Sequence, residues 1–148
     1  MAMPGAYFDT SVLLKRYIQE PGSRRAQSLL RRYRVFTSAL ATVEIASALA
    51  RRRQAEDLAE KEFEAIVRQV AKDRPHWYLV EVASETLGRA EAVIRKAAVR
   101  TLDAVHLASA LVLQATAVET GGALPFVTGD SRQRDAAESL GLEVLWIG

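Results

Sequence analysis

Short apolar runs alternate along this chain with longer segments whose apolar residues recur at helical spacing. The short runs predict five strands, at 6–8, 35–37, 77–82, 125–128 and 142–147. The longer segments predict helices at 11–19, 23–33, 38–53, 56–73, 84–99, 101–118 and 131–140, the third capped by Ser38 and the sixth ended by Gly121 and Gly122. Strands separated by helices favour parallel pairing, so the pattern predicts an α/β fold, a three-layer sandwich with a mainly parallel five-stranded sheet between helices.

The length of 148 residues suits one domain, which we take to span 1–148. The chain has no cysteine, which excludes disulfides, iron–sulfur clusters and thiolate zinc sites, and its two histidines, His76 and His106, are too few for a His-rich metal site. No apolar run approaches the ~20 residues that cross a bilayer, and the N-terminus does not resemble a signal peptide. We therefore expect a cytoplasmic protein with no membrane partner.

The net charge is only +2, but the charges are unevenly distributed. Between Lys15 and Arg53 the chain has ten basic and two acidic residues. Such a basic segment favours an anionic partner, and Arg51, Arg52 and Arg53 form a basic cluster at its end. The same three cations also suit the C-terminal end of the predicted helix that they close, so a purely local role stays open.

Four acids stand in stretches that otherwise carry no Asp, Glu, Lys or Arg. They are the lone charges of residues 1–14, 35–50, 101–118 and 120–131, and in that order they are Asp9, Glu44, Asp103 and Asp130. An acid in apolar surroundings must be hydrogen-bonded, paired or bound to a metal, because burying a bare charge costs too much free energy. Asp9 and Asp130 follow predicted strands, and the site of a parallel α/β sheet lies beyond the carboxyl ends of its strands.

We therefore predict that the four carboxylates share one site with a divalent cation. An oxygen ligand set without cysteine selects a hard ion, Mg²⁺ or Mn²⁺. The alternative is four separate structural roles, with Asp9 and Asp130 as helix N-caps and Asp103 as a first-turn acid. In that alternative Glu44, expected about two turns into the helix 38–53, accepts a bond from a nearby hydroxyl.

Four segments of the sequence resemble the PIN-domain ribonucleases, and among them the VapC toxins of bacterial and archaeal toxin–antitoxin pairs. The segments are YFDTSVLL, TVEIASAL, RTLDAVHLASAL and TGDSRQRDAAESLGLEV, and they run in order along essentially the whole chain. RTLDAVHLASAL is the most specific of them. The resemblance implies the PIN-like form of the α/β sandwich predicted above.

The resemblance also implies a role for each acid. Asp9 and Asp103 match direct ligands of the metal ion. Glu44 matches the glutamate that follows the second strand. Asp130 matches a fourth acid that often binds the metal through water. All four are therefore expected to be both metal-binding and catalytic.

Further residues are candidates for supporting roles. Ser11 and Thr128 match hydroxyls that the family commonly places near the first and the fourth acid. Arg100 precedes the helix of Asp103, and with the arginines at 51–53 it is a candidate for contact with a substrate phosphate. Asp135 either adds to the site or is an exposed acid in the first turn of its helix.

His106 keeps two interpretations. It follows Asp103 by three residues and so shares a helix face with it, which suits a proton carrier or a partner of a metal ligand. The alternative is a neutral, hydrogen-bonded histidine of the core.

The resemblance implies a metal-dependent endoribonuclease toxin. Members of the family use Mg²⁺ or Mn²⁺ to activate water for RNA hydrolysis, which leaves 5′-phosphate and 3′-hydroxyl ends, and they form homodimers that a cognate antitoxin protein silences. Two alternatives stay open. One is an aspartyl-phosphate phosphatase of the haloacid-dehalogenase type with Asp9 as nucleophile, although Ser11 stands where such enzymes need a second acid. The other is a non-catalytic module that binds RNA or a protein partner.

Overall fold

Strands and helices alternate throughout the part of the chain that the computed structural model describes, residues 3–119 and 122–148. The strands are β1 Gly5–Phe8, β2 Arg34–Ser38, β3 Tyr78–Val80, β4 Phe126–Thr128 and β5 Val144–Trp146. The helices are α1 Thr10–Leu14, α2 Ser23–Arg32, α3 Ala41–Gln54, α4 Glu60–Asp73, α5 Ser84–Lys96, α6 Thr101–Glu119 and α7 Ser131–Ser139. A short 3₁₀ helix, Arg74–His76, follows α4.

The five strands form one parallel sheet in the order β3-β2-β1-β4-β5. The central strand, β1, aligns Ala6 with Val35 of β2 and Tyr7 with Phe126 of β4. Parallel neighbours cannot be joined by a hairpin, so each connection carries at least one helix across a face of the sheet. The predicted α/β sandwich is confirmed, and its sheet is entirely parallel.

The direction in which the chain adds strands reverses at β1. The chain goes from β1 to β2 and β3 on one side, and it then reaches the other side of β1 with β4 and β5. Loops that leave two such strands in opposite directions open a crevice between the carboxyl ends of the strands. Asp9 directly follows β1 and Asp130 follows β4 by two residues, so both lie at this crevice.

Helices cover both faces of the sheet because successive residues of a strand point to opposite sides. Ala6 and Phe8 pack in a core with α1, α2, α3 and α4, whereas Tyr7 packs in a second core with α5, α6 and α7. All three β1 side chains are fully buried. The strand that leads to Asp9 is thus fixed from both sides.

Ser38 does not cap a helix, so the sequence prediction at this position is wrong. It is the last residue of β2, and its hydroxyl accepts the N–H of Leu40 at 3.1 Å in the turn that follows. α3 consequently begins at Ala41 without a side-chain cap, and Glu44 lies in its first turn, not two turns into it. The partial positive charge of the helix start therefore acts on Glu44.

Other element boundaries differ for local reasons. α1 ends at Leu14, and the rest of the predicted helix 11–19 forms turns. Glu56, with a left-handed backbone at φ of 61°, belongs to the turn that ends α3, and α4 begins only at Glu60, after the extended Ala59. The predicted helix stop at Gly121 lies outside the described residues. Within the described ranges, no helix has the length and apolar character needed to cross a membrane.

Candidate active site

A cavity of about 300 Å³ lies at the crevice between β1 and β4. It is lined by the four acids that the sequence singles out and by three of the other candidates, Ser11, Arg51 and Arg100. The rest of the lining is two apolar and three polar side chains: Leu14, Ala48, Thr10, His106 and Gln133. The fold therefore gathers residues from four separate segments of the chain into one pocket.

Asp9 is the N-cap of α1 and only 5% exposed. Its Oδ1 accepts the N–H of Val12 at 3.1 Å and the hydroxyl of Ser11 at 2.6 Å. Its Oδ2 accepts the hydroxyl of Thr128 at 2.5 Å. Both predicted supporting hydroxyls thus contact this acid. The two alternatives for Asp9 are therefore compatible, because the same side chain caps α1 and lines the shared cavity.

Burial raises the pKa of the Asp9 carboxyl above its ordinary value, because the ionised form loses its hydration. The hydroxyls of Ser11 and Thr128 lower that pKa, and the His106 ring and the N–H of Val12 do so to a smaller extent. These groups do not cancel the effect of burial. The negative charge of Asp9 is therefore incompletely compensated by the protein.

Thr128, the last residue of β4, connects two of the acids. Its buried hydroxyl donates to Asp9 and accepts the N–H of Asp130 at 3.1 Å. Asp130 is the N-cap of α7, where its Oδ1 accepts the N–H groups of Arg132 and Gln133 at 2.9 and 3.3 Å. Within the described part of the chain, no group hydrogen-bonds to Oδ2 of Asp130, so this oxygen is open to a ligand.

Asp103 lies in the first turn of α6, as the sequence predicts. The Nε of Arg100 is 3.4 Å from its Oδ2, and both residues line the cavity. The Arg100 side chain is 80% exposed, and an ion pair so open to solvent contributes little to stability. Asp103 is therefore a carboxylate whose partner can move away at small cost.

Glu44 of α3 meets His106 of α6 inside the cavity. The Oε1 of Glu44 lies 2.7 Å from the Nε2 of His106, and the Thr10 hydroxyl donates to the same oxygen at 2.7 Å. The Nδ1 of His106 lies 2.7 Å from the hydroxyl of Tyr7. His106 is only 3% exposed and both of its ring nitrogens have partners. It is thus a hydrogen-bonded histidine of the core and, in the same position, the partner of a site acid.

The pKa of Glu44 shifts in the opposite direction to that of Asp9. Burial alone would raise it, but the hydrogen bond and the charge of His106, together with the Thr10 hydroxyl, hold the pKa of Glu44 below its ordinary value. Glu44 is accordingly ionised well below neutral pH.

The arginine candidates separate into two groups. Arg51 and Arg100 line the cavity. The guanidinium of Arg51 donates to the hydroxyl of Ser47 at 2.7 Å, an exposed contact on its own helix. Both guanidinium groups can therefore reach an anion at the cavity without breaking a buried interaction.

Arg52 and Arg53 are placed elsewhere and do not line the cavity. Arg52 forms ion pairs with Glu20 at 3.0 Å and with Asp57 at 4.0 Å. The guanidinium of Arg53 lies 4.0 Å from the centre of the Phe63 ring. These two arginines therefore tie α3 to neighbouring segments.

Gln133 also lines the cavity, although no motif of the sequence points to it. It is 2% exposed, and its Nε2 donates to the main-chain oxygen of Asp103 at 3.4 Å. Its Oε1 is buried with no donor among the described residues. A buried acceptor without a donor is costly, so this oxygen is suited to accept a bond from a ligand in the cavity. The one signal in the sequence was its position one helical turn after Asp130.

The four acids line the cavity as separately held groups. Within residues 3–119 and 122–148, no three His, Asp or Glu side chains already lie close enough to hold one ion together. Burial, not repulsion among the acids, accordingly dominates the pKa shift of Asp9. Asp135 is not among the lining residues; it is exposed and pairs with Arg134 at 3.1 Å.

Comparison with known proteins adds a family relationship to this geometry. Residues 6–139 match the PIN domain. The chain is 35% identical over 144 residues to ribonuclease VapC46 of Mycobacterium tuberculosis, a match that covers 97% of this chain and 98% of that protein.

Two solved structures share the fold at low sequence identity. One is a toxin–antitoxin complex from Klebsiella pneumoniae, with a TM-score of 0.60, 14% identity, and coverage of 87% of this chain and 89% of that one. The other is VapBC2 from Rickettsia felis bound to a DNA fragment from its promoter, with a TM-score of 0.64, 9% identity, and coverage of 97% and 98%.

Proposed function

This chain belongs to the PIN-domain family and to its VapC-type ribonucleases, and from that premise we propose that it is a metal-dependent endoribonuclease toxin of a toxin–antitoxin pair. Its reaction is hydrolysis of an RNA phosphodiester bond to leave 5′-phosphate and 3′-hydroxyl ends. The observation that carries the proposal is the convergence of Asp9, Glu44, Asp103 and Asp130 on one cavity.

The donor chemistry of the cavity fits Mg²⁺ or Mn²⁺. Apart from His106, whose ring nitrogens both have partners, the donors to a metal are oxygens of carboxylates, hydroxyls and the Gln133 amide. The unpartnered Oε1 of Gln133 suits a water bound to such an ion. Mg²⁺ is typically held by one or two carboxylates and several waters, so it does not require three acids already gathered around one point.

Asp9, Glu44, Asp103 and Asp130 are the residues that would hold the ion. When bound, the cation would polarise the phosphoryl group and lower the pKa of a nearby water. Side chains of the protein keep one of these acids ionised and orient another. Glu44 is kept ionised by His106, and the oxygens of Asp9 are oriented by Ser11 and Thr128.

Arg51 and Arg100 bind the RNA backbone in this proposal. The acids repel phosphate, so the substrate needs cations next to them. A guanidinium group matches two phosphate oxygens at once, and both of these arginines line the acidic cavity. They hold the scissile phosphate next to the acids, and such positioning lowers the activation barrier of the reaction.

We also propose a cognate antitoxin protein as partner and a homodimer as the active form. The antitoxin is supported by the two solved neighbours, one a toxin–antitoxin complex and the other VapBC2. The homodimer rests on the family resemblance. We place the reaction in the cytoplasm, where the RNA and the antitoxin of such a pair are made.

The test is a cleavage assay on a panel of structured RNAs with Mg²⁺, Mn²⁺, Ca²⁺ or EDTA, with the product ends mapped. We expect cleavage with Mg²⁺ or Mn²⁺ and none with EDTA. Asp9→Asn and Asp103→Asn keep the side-chain shape but remove the charge, and they should lower the rate by about 100-fold or more, equivalent to several kcal/mol of transition-state stabilisation.

Asp135→Asn is the matched control, because it removes an exposed carboxylate of α7 that does not line the cavity. It should cleave like the wild type. Near-wild-type cleavage by Asp9→Asn or Asp103→Asn, or products with 3′-phosphate ends, would contradict the proposed function.

A further inference from the structure

Three side chains form a continuous hydrogen-bonded path from the centre of the sheet to the acidic cavity. The hydroxyl of Tyr7 lies 2.7 Å from the Nδ1 of His106, and the Nε2 of His106 lies 2.7 Å from the Oε1 of Glu44. Tyr7 is completely buried in β1, and His106 is almost so in α6. Of the three, only Glu44 has appreciable contact with solvent.

Hydrogen-bond chemistry assigns the protons along this path. An ionised carboxylate only accepts, so the 2.7 Å contact with Glu44 places a hydrogen on the Nε2 of His106. The charged ring carries hydrogen on both nitrogens, whereas the neutral ring that keeps its hydrogen on Nε2 has Nδ1 as an acceptor. The phenol of Tyr7 carries its proton at neutral pH, and at 2.7 Å it can donate that proton to Nδ1 of the neutral ring. Glu44 thus sets the hydrogen on Nε2, and the tyrosine supports the same tautomer by donating to Nδ1.

The two carboxylate oxygens of Glu44 differ in their hydrogen-bond partners. Oε1 has two donors, His106 and the Thr10 hydroxyl. Oε2 has no hydrogen-bond partner within the described residues. One oxygen is therefore fixed by the protein, and the other is left for a ligand.

We propose that Tyr7 is a positioning residue of this enzyme, which acts through His106 to hold Oε1 of Glu44 so that Oε2 is presented to the divalent cation. The proposal rests on the proposed function, in which Glu44 is one of the metal-binding acids. Groups that orient a metal ligand commonly change metal affinity by about 10–100-fold when they are removed. The sequence places Tyr7 two residues before Asp9, so one strand serves two acids of the site.

Tyr7→Phe isolates the hydroxyl from the packing of the ring. The ring stacks on Phe126 with centroids 5.4 Å apart, a contact that phenylalanine preserves. Tyr17→Phe is the matched control, since it also removes a hydrogen-bonded tyrosine hydroxyl. The hydroxyl of Tyr17 donates to the carboxylate of Asp73 at 2.6 Å. Neither Tyr17 nor Asp73 lines the acidic cavity.

The first measurement is the ¹⁵N spectrum of the imidazole rings in the metal-free protein at slightly alkaline pH. The chain has two histidines, and the exposed His76 serves as the internal reference. We expect hydrogen on Nε2 and an unprotonated Nδ1 for His106 in the wild type and in Tyr17→Phe, and in Tyr7→Phe a shifted Nδ1 resonance, because that nitrogen has lost its hydrogen-bond donor. A wild-type His106 with hydrogen on Nδ1 at this pH, alone or together with Nε2, would overturn the proposal, and this result does not depend on the stability of any variant.

The second measurement is the Kd for Mn²⁺ by calorimetry. We expect binding to Tyr7→Phe to be about 10-fold weaker than to the wild type, and binding to Tyr17→Phe to be unchanged. Wild-type affinity in Tyr7→Phe would overturn the positioning role alone. A wild-type protein that binds no Mn²⁺ would overturn the proposed function, and the positioning role with it.

Discussion

Asp9 and Glu44 line the same cavity, yet their pKa values shift in opposite directions. Both lose hydration on folding, which raises a carboxyl pKa. Glu44 forms a hydrogen bond with His106, which lowers its pKa by more than burial raises it. The main partners of Asp9 are neutral hydroxyls, which do not offset the effect of burial. The two acids therefore affect the stability of the metal-free protein with opposite signs.

Asp9→Asn should stabilise the metal-free protein near neutral pH. The folded-state pKa of Asp9 is raised, so its contribution to stability is fully present below the unfolded value of about 4 and is lost as pH rises through the folded pKa. Removing the charge should add about 1 kcal/mol, or roughly 2–4 °C in Tm, and the gain should shrink at lower pH. Thermal melts with EDTA across this pH range give the answer.

Glu44→Gln should have the opposite effect in the same melts. The folded-state pKa of Glu44 is lowered, so its contribution is present above the unfolded value of about 4.3 and is lost as pH falls through the folded pKa. Glutamine fits the space but weakens the bond with His106, at a cost of about 1–2 kcal/mol near neutral pH. Tm shifts of the same sign in the two variants would contradict this prediction. The charge of the whole cavity, and not the hydrogen-bond partners of each acid, would then determine the effect on stability.

The sequence allowed the four acids to be predicted but not the groups that hold them. Each acid is the lone charge of its stretch, which is visible in the sequence. The hydroxyl on Asp9 comes from Thr128, 119 residues away, and the phenol on His106 comes from Tyr7, 99 residues away. Such pairs are set by the strand order and by side-chain packing, and no local pattern records them.

At the scale of elements, α3 shows where local patterns mislead. Ser38 is a good N-cap residue, and the sequence from 38 to 53 is compatible with one helix. Pairing with β3 instead extends β2 to Ser38, so the helix starts at Ala41. Sheet pairing outweighed the capping preference, because capping a helix contributes only about 1 kcal/mol.

The same helix carries arginines with different roles, which a binding experiment can separate. Arg51→Gln should weaken RNA binding and reduce the slope of log K against log salt by about 0.7 for each phosphate that the variant no longer neutralises. Arg52→Gln should leave that slope unchanged, because Arg52 pairs with Glu20 and Asp57 away from the cavity. Binding measured by anisotropy over a salt series distinguishes the two, in an Asp9→Asn background that the proposed function predicts to be cleavage-deficient.

Arg100→Gln provides a second test of the difference between arginines that line the cavity and those that do not. Arg100 lines the same cavity just before the start of α6. It should reduce the salt slope as Arg51→Gln does. Equal slopes for Arg51→Gln, Arg52→Gln and the background protein would show that the basic end of α3 has only structural contacts and does not bind RNA.

At the scale of the whole molecule, the alternation of strands and helices predicted the class of fold but not the order of the strands. Several parallel orders satisfy the same alternation. The order found puts the change of direction between β1 and β4, and the loops after these strands carry Asp9 and Asp130. The first turns of α3 and α6 bring Glu44 and Asp103 to the same edge. The site is therefore a property of the topology as much as of any motif.

Because the cavity joins segments from both helical layers, an ion bound there should stabilise the folded domain as a unit. A ligand that binds only the native state adds RT ln(1 + [L]/Kd), about 2.7 kcal/mol at 100 times Kd, which corresponds to roughly 5–10 °C in Tm. Wild-type protein melted over a Mg²⁺ series should show this rise, and Asp135→Asn should match it.

Asp103→Asn should lose most of the rise, since it removes a carboxylate that is free for the ion: its ion-pair partner among the described residues is the exposed Arg100. A parallel NaCl series at equal ionic strength separates binding from the screening of surface charges, which acts on all three proteins alike. A Mg²⁺ shift in Asp103→Asn as large as that of the wild type would place the ion outside the cavity. It would also leave the four acids as separate caps and hydrogen-bond acceptors.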